Sequence, residues 1–214
     1  MTERIREFLR NRREDGPCMI LDLEVVRDNY HAFSRALPDT RVFYAVKANP
    51  APEVLQLLAR LGSCFDCASV AEIEMALAAG ATADRISFGN TIKKERDILR
   101  AIELGIRLLA VDCQAEVDKV ARSAKTLAAE DVRVFCRILC DGAGADWPLS
   151  RKFGCVPDMA PDVLEHAHRQ GLRAHGVSFH VGSQQGNTEA WDGALASASL
   201  IFRTLAERGI ALKM

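Results

Sequence analysis

The sequence predicts an α/β fold in which strand–helix units repeat around a parallel sheet, a (β/α)8 TIM-type barrel of which about six units are present. Three observations carry this. Apolar runs rich in β-forming residues begin near Val42, Cys64, Ile86, Arg107, Val132 and Arg173; each is followed by a stretch of helical periodicity; and the first five starts lie about 21 to 25 residues apart. With 214 residues, 49% of them hydrophobic, the chain can bury a sizeable core. A closed barrel takes eight strands and about 250 residues. The apolar run Ile210-Ala211-Leu212-Lys213-Met214 stands where a seventh strand begins, so the expectation is the front part of a larger protein.

Taken in order, Arg4, Arg6, Arg10, Arg12 and Arg13 alternate with Glu3, Glu7, Glu14 and Asp15, which reads as a solvated helix face. Residues 18–23 are strand-like and 24–37 helix-like. From Val42 onward the apolar runs take turns with helical stretches over 52–61, 70–79, 93–104, 115–129, 160–170 and 189–208. The wider gap after the fifth strand holds Asp141-Gly142-Ala143-Gly144-Ala145-Asp146-Trp147-Pro148, a turn-rich loop of a length more often functional than idle.

Composition excludes some functions. A formal net charge of -1 gives no electrostatic footprint for nucleic acid. No window reaches the apolar length of a membrane span, and Met1-Thr2-Glu3-Arg4 lacks a signal-peptide core, so a cytoplasmic protein is expected. Seven cysteines form an odd, scattered set that reads as reduced thiols. Cys64 and Cys67 have a two-residue spacing, but no second pair completes a zinc site, and no metal is expected.

The candidate chemistry begins with Val42-Phe43-Tyr44-Ala45-Val46-Lys47, an apolar run that reads as a buried strand ending in a lysine. Partial burial there favours the neutral, nucleophilic amine that a Schiff base with an aldehyde requires. Alternation puts Ala45 and Lys47 on one face against Val42, Tyr44 and Val46; sets Asp66 opposite Phe65 and Cys67; and sets Ser178 and His180 opposite Val177 and Phe179. With large apolar residues toward the helices and small or polar ones toward the axis, Lys47, Asp66 and His180 point into one mouth at the carboxyl ends of the strands. Each has a plainer reading on its own: Lys47 snorkelling to solvent, Asp66 capping a helix, His180 as a core histidine, Arg137 pairing with a carboxylate. The loop His180-Val181-Gly182-Ser183-Gln184-Gln185-Gly186-Asn187 offers a hydroxyl and backbone N–H groups that could hold a phosphate.

Phe43-Tyr44-Ala45-Val46-Lys47-Ala48-Asn49, Phe65-Asp66-Cys67-Ala68-Ser69, Ile86-Ser87-Phe88-Gly89-Asn90, Leu149-Ser150-Arg151-Lys152-Phe153-Gly154 and Ser178-Phe179-His180-Val181-Gly182-Ser183 stand in this order along the chain. Together they resemble the group IV decarboxylases, pyridoxal-phosphate enzymes with an alanine-racemase-type barrel that include ornithine and diaminopimelate decarboxylase. The resemblance implies pyridoxal 5'-phosphate as cofactor, held covalently by Lys47. It also implies that His180 stacks on the cofactor and that Ser183 binds its phosphate. Asp66 and Glu72 match acidic residues near the lysine, Arg137 matches an arginine on the site wall, and Lys152 a lysine near the subunit interface of a homodimer. The last two motifs look closer to ornithine than to diaminopimelate decarboxylases, and Gln184-Gln185 suggests the bacterial branch, where some members also accept lysine.

The reaction so implied is decarboxylation of a small basic amino acid, ornithine to putrescine first and lysine second, in polyamine biosynthesis, with the cofactor as electron sink. Relatives continue with a glycine-rich phosphate loop, a glutamate for the pyridine nitrogen and a C-terminal β-domain, none of which follows within these residues. Residues 1–40 are expected to associate with that β-domain and 41–214 to form a partial barrel, leaving the site incomplete. The alternatives are diaminopimelate decarboxylase, a single-barrel cofactor-binding protein or racemase, and a non-catalytic regulator resembling ornithine decarboxylase. The last need not keep Lys47 and His180.

Overall fold

The predicted strand–helix rhythm is the observed one. A computed structural model describes residues 1–140, 142, 144–147 and 152–214. Two helices, α1 (Glu3–Asn11) and α2 (Leu23–Ala36), precede β1 (Phe43–Ala45). Then α3 (Pro52–Arg60), β2 (Cys64–Cys67), α4 (Val70–Ala78), β3 (Ile86–Phe88), α5 (Glu95–Glu103), β4 (Leu108–Val111), α6 (Gln114–Thr126) and β5 (Arg133–Arg137) alternate. A short β6 (Ala145–Trp147) is followed by α7 (Ala160–Arg169), β7 (Arg173–Ser178), β8 (Ser183–Gln185) and α8 (Asp192–Glu207).

One six-stranded sheet runs β1-β2-β3-β4-β5-β7, every neighbouring pair parallel. Chain order and sheet order coincide because each helix crosses one face and returns the chain beside the strand it left. That face is the principal core. Phe65, Ile86, Phe88, Leu109, Val111, Val134 and Cys136 pack with Leu55, Ile73, Ile98, Val117 and Leu164 of the helices. Burying one such large side chain contributes about 1.5–3 kcal/mol. The opposite face carries a smaller apolar cluster of Leu108, Ala110 and Phe135 with Phe43 against it.

Residues 210–214 behave as the apolar run predicts. Lys213 N–H donates to His175 O at 2.8 Å, and Val177 N–H donates to Met214 O at 2.8 Å, continuing the parallel ladder beyond β7. Gly176 makes this possible, since a Cβ there would fall 2.6 Å from the Met214 carbonyl carbon.

Two expectations fail. Residues 18–23 form no strand: 18–22 are irregular and Leu23 opens α2, while Met19 is 87% exposed. A strand needs a ladder partner, and these residues have none among the described residues. Instead Asp22 caps α2, accepting from Glu24 N–H at 3.1 Å, from Thr2 Oγ1 at 2.6 Å and from Arg4 Nη2 at 3.0 Å. Ser183 lies in a strand rather than a loop, because β8 pairs antiparallel with β6 through Ala145↔Gln185 and Trp147↔Ser183. The turn-rich stretch thus holds a strand of its own, although Asp141, Ala143, Pro148, Leu149, Ser150 and Arg151 lie outside the described residues. No helix among the described residues is long and apolar enough to cross a membrane.

Candidate active site

Alternation along the strands builds a cleft of about 670 Å³ at their carboxyl ends. Phe43, Leu108 and Phe135 line its apolar part, and Lys47, Asp66, Ser87, Asn90, Arg137, Lys152, Ser178 and His180 its polar part. The expectation that large apolar residues face only the helices is therefore too strict. The space along a barrel axis has to be filled, and near the amino ends of these strands aromatic and aliphatic side chains fill it.

Lys47 occupies a 3-10 turn (Val46–Ala48) directly after β1, with Val46 fully buried and Lys47 exposed into the cleft. The burial expected for this lysine is not found: β1 is the outermost strand, and the turn carries Lys47 past the last ladder position. Asp66 stands opposite Ala45 on one side and Ser87 on the other, and Ser87 Oγ donates to its Oδ1 at 2.8 Å. Burial raises the Asp66 pKa above the ordinary 3.8; the Ser87 hydrogen bond and Lys47 oppose this, Glu72 adds to it, and Arg137 opposes it.

Arg137, at the end of β5, lies over the Phe153 ring at 5.8 Å. His180 Nδ1 accepts from Gly182 N–H at 2.9 Å, which leaves the ring's other nitrogen to carry the proton. Burial, followed by Arg137 and Lys47, lowers its pKa below 6.5, so the ring is neutral at pH 7.

Two expected site residues do not line the cleft. Glu72 closes the start of α4: its Oε2 accepts from Ala68 N–H at 2.6 Å while Ser69 Oγ accepts from Glu72 N–H at 3.3 Å, close to a capping box. It acts on the site as a neighbouring charge to Asp66. Ser183 is tied into the β6–β8 ladder.

The structure also contains a group that sequence reasoning missed. Lys93, 4% exposed, donates through Nζ to Asn90 O at 2.9 Å and to Ala110 O at 2.5 Å, and pairs with Glu116 Oε1 at 2.9 Å. Glu116 Oε1 also accepts from Lys93 N–H at 3.1 Å, and its Oε2 pairs with Lys119 at 2.5 Å. Asn90 Nδ2 in turn reaches Ala68 O at 3.4 Å. The loops after β2 and β3 and the end of β4 are thus clasped from beneath. The available signal was the i,i+3 spacing of Glu116 and Lys119 in α6; Lys93, just before α5, joins them only through the fold.

Comparison with known proteins bears on the same region. A family model described as "Pyridoxal-dependent decarboxylase, pyridoxal binding domain" matches residues 23–214. The chain is 39% identical over 197 residues to the chloroplastic ornithine decarboxylase of Nicotiana glauca, covering 92% of this chain and 45% of that protein. It is 38% identical over 196 residues to the lysine/ornithine decarboxylase of Selenomonas ruminantium, covering 92% of this chain and 49% of that protein. A crystal structure of an SrLDC mutant in complex with PLP superposes with a TM-score of 0.89 at 36% identity, over 100% of this chain and 54% of that one. The chain spans about half the length of the curated relatives it matches.

Proposed function

This chain belongs to the pyridoxal-dependent decarboxylase family, and from that premise we propose that it binds pyridoxal 5'-phosphate on Lys47 and serves the decarboxylation of a small basic amino acid. The observation that carries the reading is the placing of the Lys47 amine in a cleft with an apolar floor and a cation-rich rim. Phe43, Leu108 and Phe135 offer surface to a planar ring, while Arg137 and Lys152 offer charge to an anion. These residues fit an anionic aromatic aldehyde.

When bound, the cofactor supplies the electron sink that accepts the electron pair left by departing CO2. The chain's own residues do the rest. Lys47 would hold the cofactor through its amine, and its Nζ, when free, would be the group placed to carry a proton in the cleft. Asp66 steadies that ammonium. His180, its pKa lowered by burial, would offer its ring face to the cofactor, and Arg137 and Lys152 would draw in negative charge. Ser183, although held in the β6–β8 ladder outside the cleft lining, is kept in this reading as a phosphate contact, and Glu72 tunes Asp66.

Ornithine is the first substrate in this reading, lysine the second and diaminopimelate the third, supported by the names of the relatives above. A cytoplasmic location is part of the proposal and is supported by seven free cysteines. A homodimer is supported by the exposed apolar residues Trp147, Phe153 and Val156, which flank Lys152 in the chain.

The test is to add pyridoxal phosphate, follow visible absorbance and borohydride fixation, and measure CO2 release from the three amino acids. Fixed cofactor on Lys47 with release from ornithine or lysine is expected. Absence of fixation would overturn the enzymatic reading in favour of a non-catalytic binder.

A further inference from the structure

One carboxylate oxygen of Asp66 is held from the neighbouring strand. Oδ1 accepts from Ser87, while Oδ2 has no hydrogen-bond partner among the described residues. The two residues are directly opposed in the parallel ladder of β2 and β3, and Ser87 is 3% exposed, so its hydroxyl has little access to water as an alternative partner. Its other neighbour is Phe65 O, at 3.5 Å.

Gly89, two residues further along, faces the same side. A Cβ built there would fall 2.6 Å from the Asp66 carboxylate carbon and 2.7 Å from Oδ2. Gly89 cannot retreat, because its N–H donates to Cys67 O at 2.8 Å. The carboxylate therefore lies in space that only a glycine leaves open.

We propose that Ser87 is a positioning residue for Asp66, holding the carboxylate in a socket opened by Gly89 so that Oδ2 faces the cleft. This deepens the decarboxylase reading and, for its catalytic consequence, rests on it. The charged groups that face Asp66 are Lys47 from the turn after β1, Arg137 from β5 and Glu72 from α4. Burial drives the carboxyl toward its neutral form; of the groups that oppose burial, the Ser87 hydrogen bond is the largest, ahead of Lys47 and Arg137. A carboxylate kept charged and aimed by Ser87 meets the Lys47 ammonium whenever that amine is released.

The experiment labels aspartate carboxyls with carbon-13 in the cofactor-free chain, assigns Asp66 through Asp66→Asn, and follows its titration by NMR. Ser87→Ala should move the midpoint upward by about one pH unit, the scale of a hydrogen bond to a charged group. Ser87→Thr, which keeps the hydroxyl, should restore it. Gly89→Ala fills the socket and should move the midpoint in the same direction, and the double variant should move it by less than the sum. An unmoved midpoint in folded Ser87→Ala overturns the positioning role, and an unmoved midpoint in Gly89→Ala overturns the socket. In the loaded protein the acid limb of kcat against pH should shift with the titration while KM holds. Because the titration needs neither cofactor nor turnover, it gives its answer even where the decarboxylase reading fails.

Discussion

Around Asp66 the cleft wall is closed by short, local contacts: Ser87 on Oδ1, Gly89 beneath, Glu72 capping the next helix, and Lys93 with Glu116 clasping the loops from below. Around His180 the wall is open. The ring is exposed, one backbone N–H from Gly182 steadies it, and the neighbouring strands β6 and β8 are three residues each with Gln184 at a φ of 56°. The acid side is thus assembled by side chains of neighbouring strands and helices, whereas among the described residues the side assigned to the ring and phosphate is held mainly by the short β6–β8 ladder and the turn that follows it. A ligand that bound there would contribute order as well as receive it.

Mutations can break or sharpen that contrast. The largest effect is expected at the residue both sides require: Lys47→Ala should reduce turnover to background and abolish borohydride-fixed cofactor, read by peptide mapping. Cofactor still fixed on the variant would show that another lysine holds it.

Next comes the foundation of the acid side. Glu116→Ala leaves the buried Lys93 ammonium without its carboxylate, and urea unfolding should show a loss of roughly 3–5 kcal/mol with an unchanged m-value. A loss under 1 kcal/mol would mean that the clasp is incidental.

Asp66→Asn should trade function for stability. The native carboxyl binds its proton above the ordinary 3.8, so the folded state holds more protons than the unfolded one in that window, and its contribution to stability falls as pH rises through it. Removing the charge should therefore stabilise the chain at pH 7 by about 0.5–2 kcal/mol, and flatten the pH dependence above pH 4, while lowering turnover. Destabilisation at pH 7 would contradict the buried-charge account.

On the open side, the effects should be smaller. His180→Phe keeps a flat ring and should exceed His180→Ala in activity by roughly fivefold, the scale of about 1 kcal/mol for an aromatic pair. Equal activities would assign the histidine a hydrogen-bonding or proton-transfer role instead. Ser183→Ala should leave stability within about 0.5 kcal/mol of the parent while weakening cofactor affinity, measured by calorimetry.

Much of the fold was legible because buried parallel strands announce themselves. The apolar runs at Cys64 and Ile86 begin their strands at the predicted residue, and those at Arg107 and Val132 lead theirs by one. Residues 18–23 misled because β-type composition states what a strand could contain, while pairing depends on a neighbour far away in the chain. The β6–β8 ladder was hidden for the same reason, its strands lying in segments rich in glycine and polar residues. At the site, period-two alternation brought Lys47, Asp66 and His180 to one cleft, and the resemblance added Arg137, which lines it too. It could not give the exposure of Lys47, which depends on the turn after β1. Ser87 and Gly89 were within reach, since the alternation Ile86-Ser87-Phe88-Gly89 puts the two small residues on one face; their relation to Asp66 required the register between β2 and β3.

The agreement of sheet order with chain order has a consequence for how the chain is made. Each of β2 to β5 pairs with the strand synthesised just before it, about 21 to 25 residues earlier, so none of these four waits for a distant partner. At about 5–20 residues per second, the ribosome delivers one strand–helix unit every few seconds, whereas helix formation and loop closure take microseconds or less. The growing edge of the sheet can therefore be extended unit by unit during translation, with Val26 and Tyr30 of α2 and Val54 and Leu58 of α3, which line one cleft with Tyr44 of β1, already made before β5 exists. Slowing synthesis between these units should leave the pairing of β1 to β5 unchanged, in contrast to β6, whose partner β8 is made only after α7 and β7.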